Sequence, residues 1–176
     1  MFSAAVLMAA LAHGAAAAAP LGEGPGQQPL DAVRALLKAT QAVTVFDHVA
    51  ASATGGVVTL TGKVTSTSKR DQLETEVATV PGVRQVVNRI GVLSSSAADD
   101  ALRHRVARAI YGHASFRRYA AMTQPPIRIL VDGGRVTLAG DVRTAVERLV
   151  AVSLAEEAAG SRVDDQINGA GVFPGG

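Results

Sequence analysis

The feature that most constrains this chain of 176 residues is an internal repeat with an offset of 78 positions. The segment 55–64, GGVVTLTGKV, aligns with the segment 133–142, GGRVTLAGDV, and seven of the ten residues are identical. A repeat of this kind indicates one supersecondary unit that is used twice. The register extends outward, pairing Val49, Ala51 and Ala53 with Ile127, Ile129 and Val131, and Val86, Asn88 and Ile90 with Val163, Asp165 and Ile167. We therefore expect two units, at residues 30–93 and 98–172, joined by a short polar connector.

Each repeated motif predicts a β-hairpin. Its leading glycine pair supplies the positive φ angles that a two-residue turn requires. In the strand that follows, Val58, Leu60 and Val64 point to one side of the sheet and the polar residues between them to the other. One more strand is expected near the end of each unit, at 83–93 and at 163–167.

Apolar residues at helical spacing predict a helix before and after each hairpin. The predicted helices span 30–41, 66–80, 99–113 and 144–159. In the last of them, the apolar stripe is predicted to consist of Val146, Leu149, Val150 and Leu154. The sequence thus predicts an α+β fold of two tandem αββαβ two-layer sandwiches, each a three-stranded sheet with two helices on one face.

The first residues are typical of an export signal. Residues 2–12 form an apolar run, which is shorter than the roughly 20 residues that a membrane span needs. Small residues and a proline follow, as at a signal-peptide cleavage site, although no Lys or Arg precedes the run. A buried N-terminal helix is the alternative. We expect a cleaved signal peptide at 1–19, a flexible leader at 20–29 and a periplasmic location.

Composition and spacing argue against catalysis. The chain has no cysteine, which excludes disulfides, thiolate metal sites and a cysteine nucleophile. His104 and His113 are too far apart to ligate one metal ion as an i, i+4 helical pair would. The glycine pairs lack the Lys-Ser/Thr of a phosphate loop, and no serine lies in a nucleophile elbow. We expect no enzymatic activity, metal, cofactor or small-molecule substrate, and the net charge of +2 argues against nucleic-acid binding.

Two motifs carry a resemblance to a known family. They are GVVTLTGKV at 56–64 and PGVRQVVNRI at 81–90, and together they resemble the BON domain (bacterial OsmY and nodulation). The second unit keeps the hairpin motif but departs later, with AGSRVDDQI at 159–167. The resemblance implies an exported, OsmY-like envelope protein with two such domains, which binds phospholipid surfaces and supports envelope integrity or osmotic stress tolerance. It implies no catalytic residue.

One basic stretch of the second unit is a candidate binding surface. From 103 to 118 there are five arginines and no acidic residue, with aromatic residues interleaved. Arginine binds phosphate in a bidentate manner, and tyrosine suits the headgroup level of a bilayer. Each basic residue near an anionic surface contributes on the order of 1 kcal/mol. An ordinary solvated helix face is the alternative. The candidate lipid-binding residues are Arg103, Arg105, Arg108, Tyr111, Arg117, Arg118 and Tyr119.

A second hypothesis is a scaffold role without lipid contact. In that case an edge strand or the exposed side of a sheet would bind an envelope partner protein or a second copy of the chain. The residues expected on the exposed sheet side are Thr59, Thr61, Lys63, Arg135, Thr137 and Ala139.

Overall fold

The computed structural model describes residues 27–169, which form two units of like architecture. The first unit consists of α1 (Gln27–Ala39), β1 (His48–Thr54), β2 (Val57–Val64), α2 (Thr67–Ala78) and β3 (Gln85–Val92). The second consists of α3 (Ala97–Gly112), a 3-10 turn (Ala114–Phe116), α4 (Arg117–Ala120), β4 (Ile127–Asp132), β5 (Arg135–Asp141), α5 (Ala145–Ala159) and β6 (Asp164–Asn168). The predicted α+β fold of two tandem αββαβ units is confirmed. The predicted signal peptide lies outside the described residues.

The two sheets share one topology. In each, the first two strands form an antiparallel hairpin and the third strand pairs in parallel with the second. Leu60 lies opposite Asn88 in the first sheet, and Leu138 lies opposite Asp165 in the second. This register matches the sequence alignment of the repeats, in which Asn88 corresponds to Asp165. The second repeat is therefore one residue shorter than the first between its hairpin and its last strand.

Glycine is required where the hairpins turn and where they begin to separate. Gly133 and Gly134 have φ angles of +59° and +78°, as a two-residue turn demands. Gly140 has a φ of +110°, and a Cβ atom built there would lie 2.0 Å from the Pro126 carbonyl oxygen. The backbone of the strand before the turn therefore occupies the space that a side chain at position 140 would need.

The core of each unit lies between its sheet and its helices. The first core is aliphatic, and the second also contains the fully buried rings of Phe116 and Tyr119. These two rings belong to the short helical insertion between α3 and β4, which the sequence pattern did not predict.

The predicted apolar stripe of the last helix is wrong at two positions. Val146 and Leu149 are 69% and 68% exposed. The residues of α5 that are buried are Ala151 and Ala155. The helix packs against α3 and the sheet through these small alanines, so its larger side chains at 146 and 149 face solvent.

The loop between α1 and β1, residues 40–47, joins the two units. The Val45 carbonyl accepts a hydrogen bond of 2.9 Å from Ile129 N on the outer edge of β4. Phe46 packs edge-on against His104 of α3, with ring centroids 5.0 Å apart. Further bonds run from Gln124 Nε2 to the carbonyls of Thr40 and Val43 and from Arg128 Nη1 to that of Thr44.

A buried carboxylate fixes this interdomain loop. Asp47 is 0% exposed and accepts hydrogen bonds from Thr44 N, from Thr65 N and, at 2.6 Å, from Lys69 Nζ. Burial by itself would raise the pKa of Asp47, but the hydrogen bonds from Lys69, Thr44 and Thr65 outweigh it and lower the pKa below its usual 3.8. Asp47 thus ties the loop to β2 and α2 of the first unit while the loop contacts the second unit.

We predict that Gly140→Ala destabilises the protein by at least about 2 kcal/mol. The positive φ angle of this position is strained for alanine, and the added Cβ atom would collide with the Pro126 carbonyl. Chemical denaturation measures the change. Gly112→Ala is the matched control, since a Cβ atom at that helical position would meet no neighbouring element within 4 Å. It should change stability by no more than about 1 kcal/mol. Equal midpoints for the two variants would contradict the prediction.

We predict that Asp47→Asn lowers the free energy of unfolding at pH 7 by about 3 kcal/mol, because it breaks a buried ion pair. The folded-state pKa of Asp47 is depressed, so its stabilisation is fully present above the unfolded-state pKa and disappears as the pH falls through the folded-state value. The difference between the two proteins should therefore shrink below about pH 4.

The control for this change is Asp31→Asn, which removes an exposed ion pair with Arg34 on α1. It should cost less than about 1 kcal/mol at any pH. A wild-type advantage over Asp47→Asn that stayed constant down to pH 2 would contradict the assignment.

Candidate functional site

The arginine-rich stretch lies on α3 and on the short helical turns that follow it. Ser96 caps α3 by accepting a hydrogen bond of 3.1 Å from Asp99 N. Leu102, Val106 and Ile110 face the core, while Arg105 and Arg108 are exposed. Helix α3 therefore has an apolar face toward the core and an exposed face that carries Arg105 and Arg108.

Arg103 does not belong to the exposed basic face. It is 2% exposed, and its Nη2 donates hydrogen bonds to the carbonyls of Val131, at 2.7 Å, and Ser94. Its Nη1 contacts the Asp100 carboxylate. A guanidinium held in this way joins the connector to β4, and it cannot reach a lipid phosphate.

The two tyrosines are also structural. The half-buried Tyr111 donates its hydroxyl to the Ile127 carbonyl, and burial raises the pKa of Tyr111. Tyr119 is 1% exposed, and its hydroxyl donates to Glu147 at 2.8 Å. Tyr119 lies in the core and the hydroxyl of Tyr111 is bonded to backbone, so the expected headgroup contact of these tyrosines has no support in their positions.

Arg103 and Tyr111 both donate hydrogen bonds to backbone carbonyls at the edge of the second sheet. In an antiparallel pair, alternate residues turn their backbone groups away from the partner strand. On β4, the outward groups Ile127 O, Ile129 N and Val131 O are bonded by Tyr111, Val45 and Arg103, respectively. The edge of β4 is thereby closed to further strands.

The arginines that remain at the surface flank α5. Arg105 Nε donates to the Ala158 carbonyl near the end of α5, at 2.7 Å. Arg118 pairs with Glu147 in the first turn of α5 and lies 4.9 Å from the Tyr119 ring centroid. Arg108 and Arg117 are exposed. Since α3 packs alongside α5, these side chains border the outer surface of the helix layer.

Two apolar side chains on the same helix layer are exposed. Val146 and Leu149 are one turn apart on α5, next to Glu147, which Arg118 contacts. Sequence reasoning missed them because periodicity alone assigned them to the core. We call the following set the helix-layer surface: Arg105, Arg108, Arg117, Arg118, Val146 and Leu149.

The described residues contain no cluster of three or more His, Cys, Asp or Glu side chains placed to hold a metal ion. Between 27 and 169 no helix has the length and hydrophobicity of a membrane span. The described chain therefore consists of two small α+β sandwiches in tandem, and the second of them presents a basic and apolar helix surface.

The chain belongs to the BON domain family. The family model matches residues 31–94 and 98–171, which are the two structural units. BON domains are non-catalytic binding modules associated with the bacterial envelope. No curated protein matches this sequence as a relative.

Among solved structures, the chain is similar to the C-terminal domain of CdsD, a structural protein of the type III secretion system of Chlamydia trachomatis. The identity is 12%, the TM-score is 0.30, and the match covers 79% of this chain and 63% of that one. A second CdsD structure matches at 13% identity and a TM-score of 0.29, covering 80% and 91% of the two chains. TM-scores this low carry no argument about the fold or function of this chain.

Proposed function

We propose that this protein is a non-enzymatic, periplasmic BON protein that attaches peripherally to anionic phospholipid through the helix-layer surface of its second unit, and so supports envelope integrity or osmotic stress tolerance. The observation that carries the proposal is the joint exposure of arginines on α3 and α4 and of two large apolar side chains on α5. Membrane-surface helices combine these two features.

The arginines supply the electrostatic part of the attachment. Arg108 and Arg117 are exposed, and Arg105 and Arg118 contact the protein through only part of their guanidinium groups. Guanidinium binds phosphate in a bidentate manner. Exposed groups of this kind at about 1 kcal/mol each give reversible binding that weakens as salt rises, with Arg118 contributing less because it pairs with Glu147.

Val146 and Leu149 supply the hydrophobic part. Each side chain is more than two-thirds exposed in the folded protein, so most of its apolar surface is still free to be buried in the acyl boundary of a bilayer. Transfer of a side chain of this size out of water stabilises by about 1.5–3 kcal/mol. The two contributions together favour a membrane surface over a soluble polyanion, which would engage the arginines alone.

The scaffold alternative through the exposed sheet side has less support. Ala139 is 2% exposed, and Lys63 forms a 2.9 Å ion pair with Asp132 across the two units. Ala139 is therefore not available on that surface, and Lys63 is already paired.

We predict that Arg105→Glu combined with Arg108→Glu weakens binding to vesicles of phosphatidylglycerol and phosphatidylcholine by at least about 30-fold, because two favourable charges are lost and two repulsive ones are added. Cosedimentation across a salt series measures the change. The matched control is Arg34→Glu with Lys38→Glu on α1 of the first unit, which should bind as the wild type does. Vesicle binding that survived the changes on α3 would refute the proposal.

We predict that Val146→Ser with Leu149→Ser weakens the same vesicle binding by at least about tenfold and leaves the unfolding midpoint unchanged, since both side chains are already exposed. The control is Ala151→Ser, a change of the buried face of α5, which should reduce stability and leave the surface chemistry intact. If the serine pair at 146 and 149 bound as tightly as the wild type at high salt, the hydrophobic part of the proposal would be wrong.

A further inference from the structure

Among the residues that the structure describes, the edge of β1 is open, unlike the equivalent edge of β4. By the 78-residue register, Val49 O, Ala51 N and Ala53 O of β1 correspond to Ile127 O, Ile129 N and Val131 O of β4. All three groups of β4 are bonded. Within residues 27–169, no hydrogen bond reaches their three counterparts on β1.

The neighbouring elements explain this difference. On the second unit, an arginine and a tyrosine of α3 and the interdomain loop close the edge. Helix α1 (QQPLDAVRALLKA) contains no tyrosine, and its cations Arg34 and Lys38 are exposed. Strand β1 itself (HVAASAT) has no proline, lysine or arginine, which are the residues that commonly protect an edge strand from pairing.

The open edge borders a cleft of about 750 Å³ between the two units. Val49, Ala50 and Ala51 of β1 line it, with Arg34, Leu37 and Lys38 from α1. The second unit contributes Gln124, Pro126, Arg128, Gly140 and Asp141. A cleft that combines unpaired backbone groups with apolar and charged walls suits an extended peptide better than a compact ligand.

The cleft is positively charged. Arg34, Lys38 and Arg128 outnumber Asp141, and the partner of Arg34, Asp31, lies 3.5 Å away in an exposed and exchangeable pair. Burial, and then the nearby Arg128, lower the pKa of His48, which favours the neutral form of this histidine. Cations thus lie on both sides of the β1 edge, on α1 and on the second unit.

From these observations we infer that the cleft binds an extended acidic segment of a partner protein, which pairs with the free edge of β1 as a fourth strand. Backbone hydrogen bonds to Val49, Ala51 and Ala53 supply the affinity. Alternate side chains of the added strand face opposite sides of the sheet, so one set faces the side of α1, where Arg34 and Lys38 lie. The site is separate from the helix-layer surface, and the inference does not depend on lipid attachment.

The test uses a capped, fluorophore-labelled heptapeptide of alternating glutamate and valine, titrated into the full chain. We expect saturable binding, with a shift of the Ala51 amide resonance in a nitrogen-15 spectrum. The same peptide with lysine in place of glutamate should not bind. A peptide with every internal amide N-methylated keeps the charge but lacks the donors of a β-ladder, and it should also fail to bind.

Variants of the protein separate this site from the lipid surface. Arg34→Glu with Lys38→Glu should weaken peptide binding by at least about tenfold, and both positions are exposed, so the variant should fold. Arg105→Glu with Arg108→Glu should leave peptide binding unchanged. Absence of saturable binding, equal binding of the N-methylated peptide, or full binding by the α1 variant would each overturn the inference.

Discussion

The arrangement of the two units depends on the buried carboxylate of Asp47. This side chain accepts hydrogen bonds from its own loop, from Thr65 after β2 and from Lys69 of α2. A charge at a site with no exposure requires such partners. Because the same loop presents the Val45 carbonyl to the edge of β4, one electrostatic site in the first unit supports a main contact with the second unit.

The two units have the same backbone at the start of the second helix, but the charge of the side chain there is reversed. Lys69 and Glu147 occupy equivalent helix positions, three residues after the caps Ser66 and Thr144. In the first unit, the carboxylate of this ion pair is that of Asp47 in the loop, and it binds Lys69. In the second it comes from the helix, and Glu147 accepts from Arg143 N and pairs with Arg118. The reversed charge allows the second unit to hold its own helical insertion, and the arginines of that insertion then lie beside α5.

The hairpins, the register of the two repeats and the family were predictable because each depends on a local pattern. The glycine pairs determine the turns, and alternation along β2 identifies its buried side. The candidate site was predictable only in part. Arg105, Arg108, Arg117 and Arg118 are exposed as expected, but Arg103 and Tyr111 bond the edge of β4 and Tyr119 is in the core. No local pattern distinguishes an arginine that bonds a distant carbonyl from one that faces solvent.

The sequence by itself determined that this chain contains two copies of one αββαβ unit, because turn glycines and apolar periodicity act over a few neighbouring residues. Only the tertiary structure decided which side chains remain at the surface. The small alanines of α5 pack against its neighbours and leave Val146 and Leu149 exposed. Within residues 27–169, the interdomain loop and two side chains of α3 bond the edge of β4, whereas no hydrogen bond reaches the corresponding groups of β1. Exposure depends on what packs against a residue from elsewhere in the chain, and periodicity within one element does not contain that information.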